Sequence, residues 1–124
     1  MYIRLSVLAI ITIFYASPLL ANITKQELVC KLTNQTPSLI DSPVGSIRNG
    51  HLNIYGSGSG ATYVINIGGS IINTDFGSWK DDGNKVVIKS NIGAAILVRS
   101  TGELSIYEKY GANSFNSSWD CTLL

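Results

Sequence analysis

Residues 98–107 read Val98-Arg99-Ser100-Thr101-Gly102-Glu103-Leu104-Ser105-Ile106-Tyr107. A β-branched segment ends at Ser100, a Thr-Gly pair supplies a turn, and Leu104 and Ile106 then alternate with polar neighbours. Period-two alternation places Leu104 and Ile106 on one face of a strand and Glu103 and Ser105 on the other. The same grammar runs outward in both directions. Leu52/Ile54 and Trp119/Cys121/Leu123 alternate likewise, and Gly68-Gly69 and Asp82-Gly83-Asn84 mark turns. Asn49-Gly50 predicts a two-residue hairpin turn, because both positions tolerate positive φ. The expected strands are Ser46–Arg48, His51–Tyr55, Ala61–Ile67, Ser70–Phe76, Lys85–Ser90, Ala94–Ser100, Glu103–Tyr107 and Phe115–Leu123.

No helix-sized periodic segment separates these strands, so tight turns must join them into an antiparallel meander. The fold class is all-β, a small meander closing as a barrel or a two-sheet sandwich. One short N-terminal helix precedes it. Thr24-Lys25-Gln26-Glu27 matches a capping box, Leu28 and Leu32 lie one turn apart, and the helix is expected over residues 25 to 32. Asn34 to Val44 carries Pro37 and Pro43 and reads as an irregular connection. Ile47–Tyr55 and Val98–Tyr107 echo one another, which two hairpins under the same turn rules explain without a duplication.

Residues 1–21 form the three-part layout of a signal peptide: Arg4, an apolar run from Leu5 to Ala16, and a small residue at Ala21 after Pro18. The apolar run is too short and interrupted for a spanning helix. The product is therefore a periplasmic or secreted single β domain over 22–124, with no membrane association after cleavage. The whole chain carries nine basic and eight acidic groups. Loss of Arg4 makes the two equal, which argues against nucleic-acid binding. An exported chain with two cysteines, Cys30 and Cys121, points to one disulfide joining the two ends of the domain.

For catalysis the inventory is thin. His51 is the only histidine and follows the expected hairpin turn without an orienting acid. Asp81 and Asp82 are adjacent in a turn, and Glu103 and Glu108, five apart, fall on opposite faces of a strand. No metal-ligand spacing and no cofactor motif is present. Gly56-Ser57-Gly58-Ser59-Gly60 lacks the Gly-Lys-Ser/Thr and the following helix of a phosphate loop. It reads as a connector displaying two hydroxyls. Asn22, Asn34 and Asn116 head Asn-x-Ser/Thr triplets, which chance supplies in a chain this rich in those residues. The expectation is a non-enzymatic protein.

The glycine run continues as Ser59-Gly60-Ala61-Thr62-Tyr63, and Trp79-Lys80-Asp81-Asp82-Gly83 precedes the apolar Val86-Val87-Ile88. This stretch resembles bacterial periplasmic lysozyme inhibitors, the C-type lysozyme inhibitor family. That family carries Ser-Gly-x-x-Tyr in a loop and a lysine-bearing stretch leading into a strand. The resemblance covers residues 57 to 88 and departs from the family where Asp81-Asp82 stand between Lys80 and Gly83. It implies a partner-binding set of Ser57, Ser59, Gly60, Tyr63 and Lys80. Ser59 and Lys80 would enter a lysozyme cleft, and Tyr63 would brace the loop. Two alternatives use the same scaffold: an immunity protein for another exported toxin or enzyme, and a small-ligand-binding β-barrel with an open apolar lumen.

Overall fold

A computed structural model describes residues 23–37 and 42–124. The expected signal peptide, 1–21, lies outside the described residues. Period-two burial organises the domain. Nine strands follow in order: β1 Ile23–Thr36, β2 Ile47–Tyr55, β3 Thr62–Ile67, β4 Ser70–Asn73, β5 Ser78–Asp81, β6 Lys85–Lys89, β7 Gly93–Val98, β8 Glu103–Tyr110 and β9 Asn113–Leu123. All pair antiparallel in one sheet of order β4-β3-β2-β1-β9-β8-β7-β6-β5.

That order dictates the shape. β4 and β5 are the two edges of the sheet, yet only residues 74–77 connect them. A flat sheet of this size would hold its edges about 38 Å apart at the usual strand spacing. Four connecting residues reach about 17 Å at most. The sheet must therefore curl until its edges approach, and β4 lies against β6 and β7. The outcome is a half-barrel from one continuous sheet, in place of the expected closed barrel or two-sheet sandwich. β4 and β5 do not pair with each other. Instead Thr74 prolongs the β4 side: its amide donates to Tyr63 O at 3.0 Å and its Oγ1 accepts from Tyr63 N at 2.9 Å.

The concave face is the core. Leu28, Cys30 and Leu32 of β1 meet Leu52, Ile65 and Ile72 from one wing and Val86, Ile88, Leu97, Leu104 and Ile106 from the other. The alternating sets Leu52/Ile54, Leu104/Ile106 and Trp119/Cys121/Leu123 all face this core. These side chains occupy the lumen that a barrel-type ligand binder would keep open.

β1 overturns the expected helix over residues 25–32. The strand sits between β2 and β9, and Leu28, Cys30 and Leu32 point inward at two-residue spacing while Lys25, Glu27 and Lys31 face out. Two ladders of main-chain hydrogen bonds and a buried apolar face outweigh a local capping pattern, because helix propensity is a preference of only tenths of a kcal/mol per residue. The strand also runs to Thr36, through the start of the expected irregular connection. Lys25 and Glu27 form an ion pair at 3.1 Å across the strand spacing i, i+2.

Asn49-Gly50 is the second correction: both residues lie inside β2, and no turn forms there. Gly50 is required for packing. A Cβ at this position would stand 2.2 Å from Ile67 Cδ1 and 2.3 Å from Asn66 O. Gly68-Gly69 does form its turn, with both φ positive at 54° and 97°. β5 was not expected as a strand. It is four residues long and follows directly on Gly77, where a Cβ would stand 1.8 Å from Lys89 O.

Cys30 and Cys121 face each other across the β1–β9 ladder and form a disulfide, with Cα atoms 4.0 Å apart and a sequence separation of 91. The bond pins the two central strands and accords with an oxidising compartment. No helix among the described residues is long and apolar enough to cross a membrane.

Candidate binding site

The loop after β2 is built from glycine. Gly56 and Gly58 take positive φ of 82° and 63°, and Gly58–Gly60 forms one 3-10 turn closed by Ala61 N to Gly58 O at 3.2 Å. This short-radius turn holds Ser57, Ser59 and Gly60 fully at the surface. The Ser57 side chain makes no capping hydrogen bond to the turn.

The loop is fastened to the opposite edge of the sheet. Trp79 of β5 donates its indole N–H to Ala61 O at 2.8 Å, and its ring stacks on Tyr63 at 4.3 Å between centroids. Neither contact is a strand pairing; both cross the seam that curling creates. Below them lies a polar latch. The Tyr63 hydroxyl donates to Asp81 Oδ2 at 2.8 Å, and Arg99 grips the same carboxylate through Nη1 at 2.7 Å and Nη2 at 3.1 Å. Arg99 also donates to Gly83 O and to Gln26 Oε1. β3, β5 and the β7–β8 turn thus converge on one carboxylate, and β1 joins them through Arg99.

The electrostatics follow from these contacts. Hydrogen bonds from Arg99 outweigh the burial of Asp81 and hold its carboxyl near a pKa of about 2. Burial first, and then the Asp81 carboxylate, push the Tyr63 phenol up to about 12, so it stays a donor. Asp82 accepts from the amides of Lys85 and Asn84, and its pKa is lowered by them.

Lys80 immediately precedes these two acids and lies on the opposite face of β5 from Asp81. It faces outward opposite Val87, with Lys85 and Lys89 on the adjoining strand. Among the described residues none of these three lysines forms an ion pair. Ser59 and Gly60 border one hollow of the surface, Lys80 borders the next, and Trp79 is a wall of both. Ser57 lines neither hollow. Tyr63 is buried beneath the loop, stacked on the residue that holds it.

Other candidates fall elsewhere. His51 is half-buried on the outer face of β2, opposite Glu27 and Asn66. Glu103 is exposed and Glu108 buried, on opposite faces of β8 as their spacing requires. Among the described residues no group of three or more His, Cys, Asp or Glu side chains is arranged to hold a metal ion. Arg99 and Gln26 gave no signal in the chain, since no local pattern links residues 26, 81 and 99. Asp81 carried one: it lies two residues after Trp79, on the same face of a strand. Comparison with protein-family models, with curated proteins and with solved structures finds no match to this chain.

Proposed function

We propose that this chain is an exported bacterial binding protein that inhibits a lysozyme, with the Ser57–Gly60 loop and Lys80 as the contact set. The observation that carries the reading is Trp79: it ties the loop to the strand bearing Lys80, so that hydroxyl and ammonium are displayed from one braced corner. A braced loop loses less entropy on association than a mobile one. Asp81, which would otherwise offset Lys80, faces inward and is neutralised by Arg99. Asp82 is turned into its own turn. The ammonium is thereby left for an external acid, and a lysozyme cleft offers two carboxyl groups.

The test is inhibition of C-, G- and I-type lysozymes by the oxidised protein. Inhibition of one class at micromolar concentration is expected. Lys80→Ala should weaken it by about 10- to 100-fold, the usual value of a charge-assisted hydrogen bond, and Ser59→Ala by less. Failure against all three classes rejects the proposal. Inhibition that ignores both substitutions moves the contact surface away from this corner.

A further inference from the structure

β8 carries an acid where the alternation calls for an apolar side chain. Leu104, Ile106 and Glu108 share the concave face, and Glu108 is only 8% exposed. Glutamate at this depth ordinarily has a cationic partner. Among the described residues Glu108 has none: its carboxylate accepts a hydrogen bond from the Tyr110 hydroxyl and takes part in no ion pair.

The carboxylate borders a cavity of about 240 Å³ at the end of β2 and β3 remote from the serine loop. Three aromatic side chains, Tyr110, Phe115 and Trp119, share the lining. Tyr110 and Phe115 are tilted against one another at 6.2 Å, and Phe115 is the cross-strand partner of Glu108. Arg48 completes the far wall. Its stem lies over Gly68, where a Cβ would stand 3.0 Å from Arg48 Cγ, and its Nη1 donates to Ile47 O at 3.0 Å.

We infer that this cavity binds a small organic ammonium ion, with Glu108 as the counter-charge and the rings of Tyr110, Phe115 and Trp119 as the apolar wall. A buried carboxylate beside aromatic faces favours a cation over a neutral ligand of equal shape, although the rest of the lining is mostly polar and carries the Arg48 guanidinium on the far wall. The volume admits a group of roughly choline size and no polymer. This site shares no residue with the proposed lysozyme contact set and stands or falls separately from it.

Choline and its uncharged isostere 3,3-dimethylbutan-1-ol are the probes, titrated into the oxidised, isotope-labelled protein and followed by amide chemical shifts. Choline is expected to move the resonances of Glu108, Tyr110 and Phe115 saturably at millimolar concentration, and the isostere to bind at least about tenfold more weakly. Glu108→Gln, which keeps the shape and an acceptor for Tyr110, should lower choline affinity by about tenfold or more. Equal binding of the two probes, or no saturable shift at these residues with choline, overturns the inference. That comparison uses the unaltered protein, so it decides even if the variant does not fold.

Discussion

Asp81→Asn tests the latch that holds the curled sheet. The carboxylate is nearly isosteric with the amide, so packing is kept while the charge is lost. Its side chain is 14% exposed and that of Arg99 21%, so solvent screens the pair only in part. Folding lowers the Asp81 pKa from 3.8 to about 2, which corresponds to about 2 kcal/mol of stability at neutral pH. Loss of the charged partner to Arg99 raises the expected cost to about 2–3 kcal/mol. For a domain of this size the melting temperature should fall by on the order of 10 °C or more.

The pH dependence is the sharper half of the prediction. A carboxyl whose folded pKa is depressed stabilises the fold fully above its unfolded pKa, and that contribution disappears as pH falls through the folded value. The wild type should therefore lose about 2 kcal/mol between pH 5 and pH 2 through this residue. The variant lacks the titrating group and should lose correspondingly less. Urea unfolding of both proteins, with the disulfide oxidised, measures the gap at pH 7, 4 and 2. A gap that is absent at pH 7, or that stays the same at pH 2, refutes the latch as the source of closure energy.

Three further outcomes follow from the packing. Replacing both Cys30 and Cys121 by alanine should destabilise the domain by about 4–5 kcal/mol in the chain-entropy estimate for a loop this long, measured by thermal or urea unfolding. Gly50→Ala should cost about 1–3 kcal/mol or more through overpacking, because its Cβ meets both a side chain and the main chain of β3. Gly60→Ala, where a Cβ meets nothing within 4 Å, should stay within about 0.5 kcal/mol of wild type in the same assay.

Much of the β wing from β6 to β9 was legible from alternation alone, because each of those strands has one wet and one dry face. Leu104 and Ile106, or Trp119 and Cys121, could not both be buried in a helix and keep that spacing. The serine loop was legible as a loop for the same local reason, its density of glycine. β1 was not. Its Leu28/Cys30/Leu32 alternation coexists with a capping-box pattern and an i, i+4 leucine pair, and both readings fit the same residues. Asn49-Gly50 failed likewise: a glycine chosen for close approach to β3 has the same letter as one chosen for a turn. The Glu108 cavity had no signature, since its walls come from β1, β2, β3, β4, β8 and β9.

The sequence by itself determined the β class, most of the turns, the inward set of β8 and β9, and the residues available for a disulfide. These depend on periodicity and residue type, which act over a few neighbours. Only the tertiary structure decided that residues 23–36 are a central strand and that β4 and β5 become opposite edges. It also decided that a four-residue link between those edges bends the sheet into a half-barrel. That bend brings Trp79 onto Ala61 and Asp81 between Tyr63 and Arg99. Contacts of this kind join residues that share no local pattern, and they exist only once the path of the chain is set.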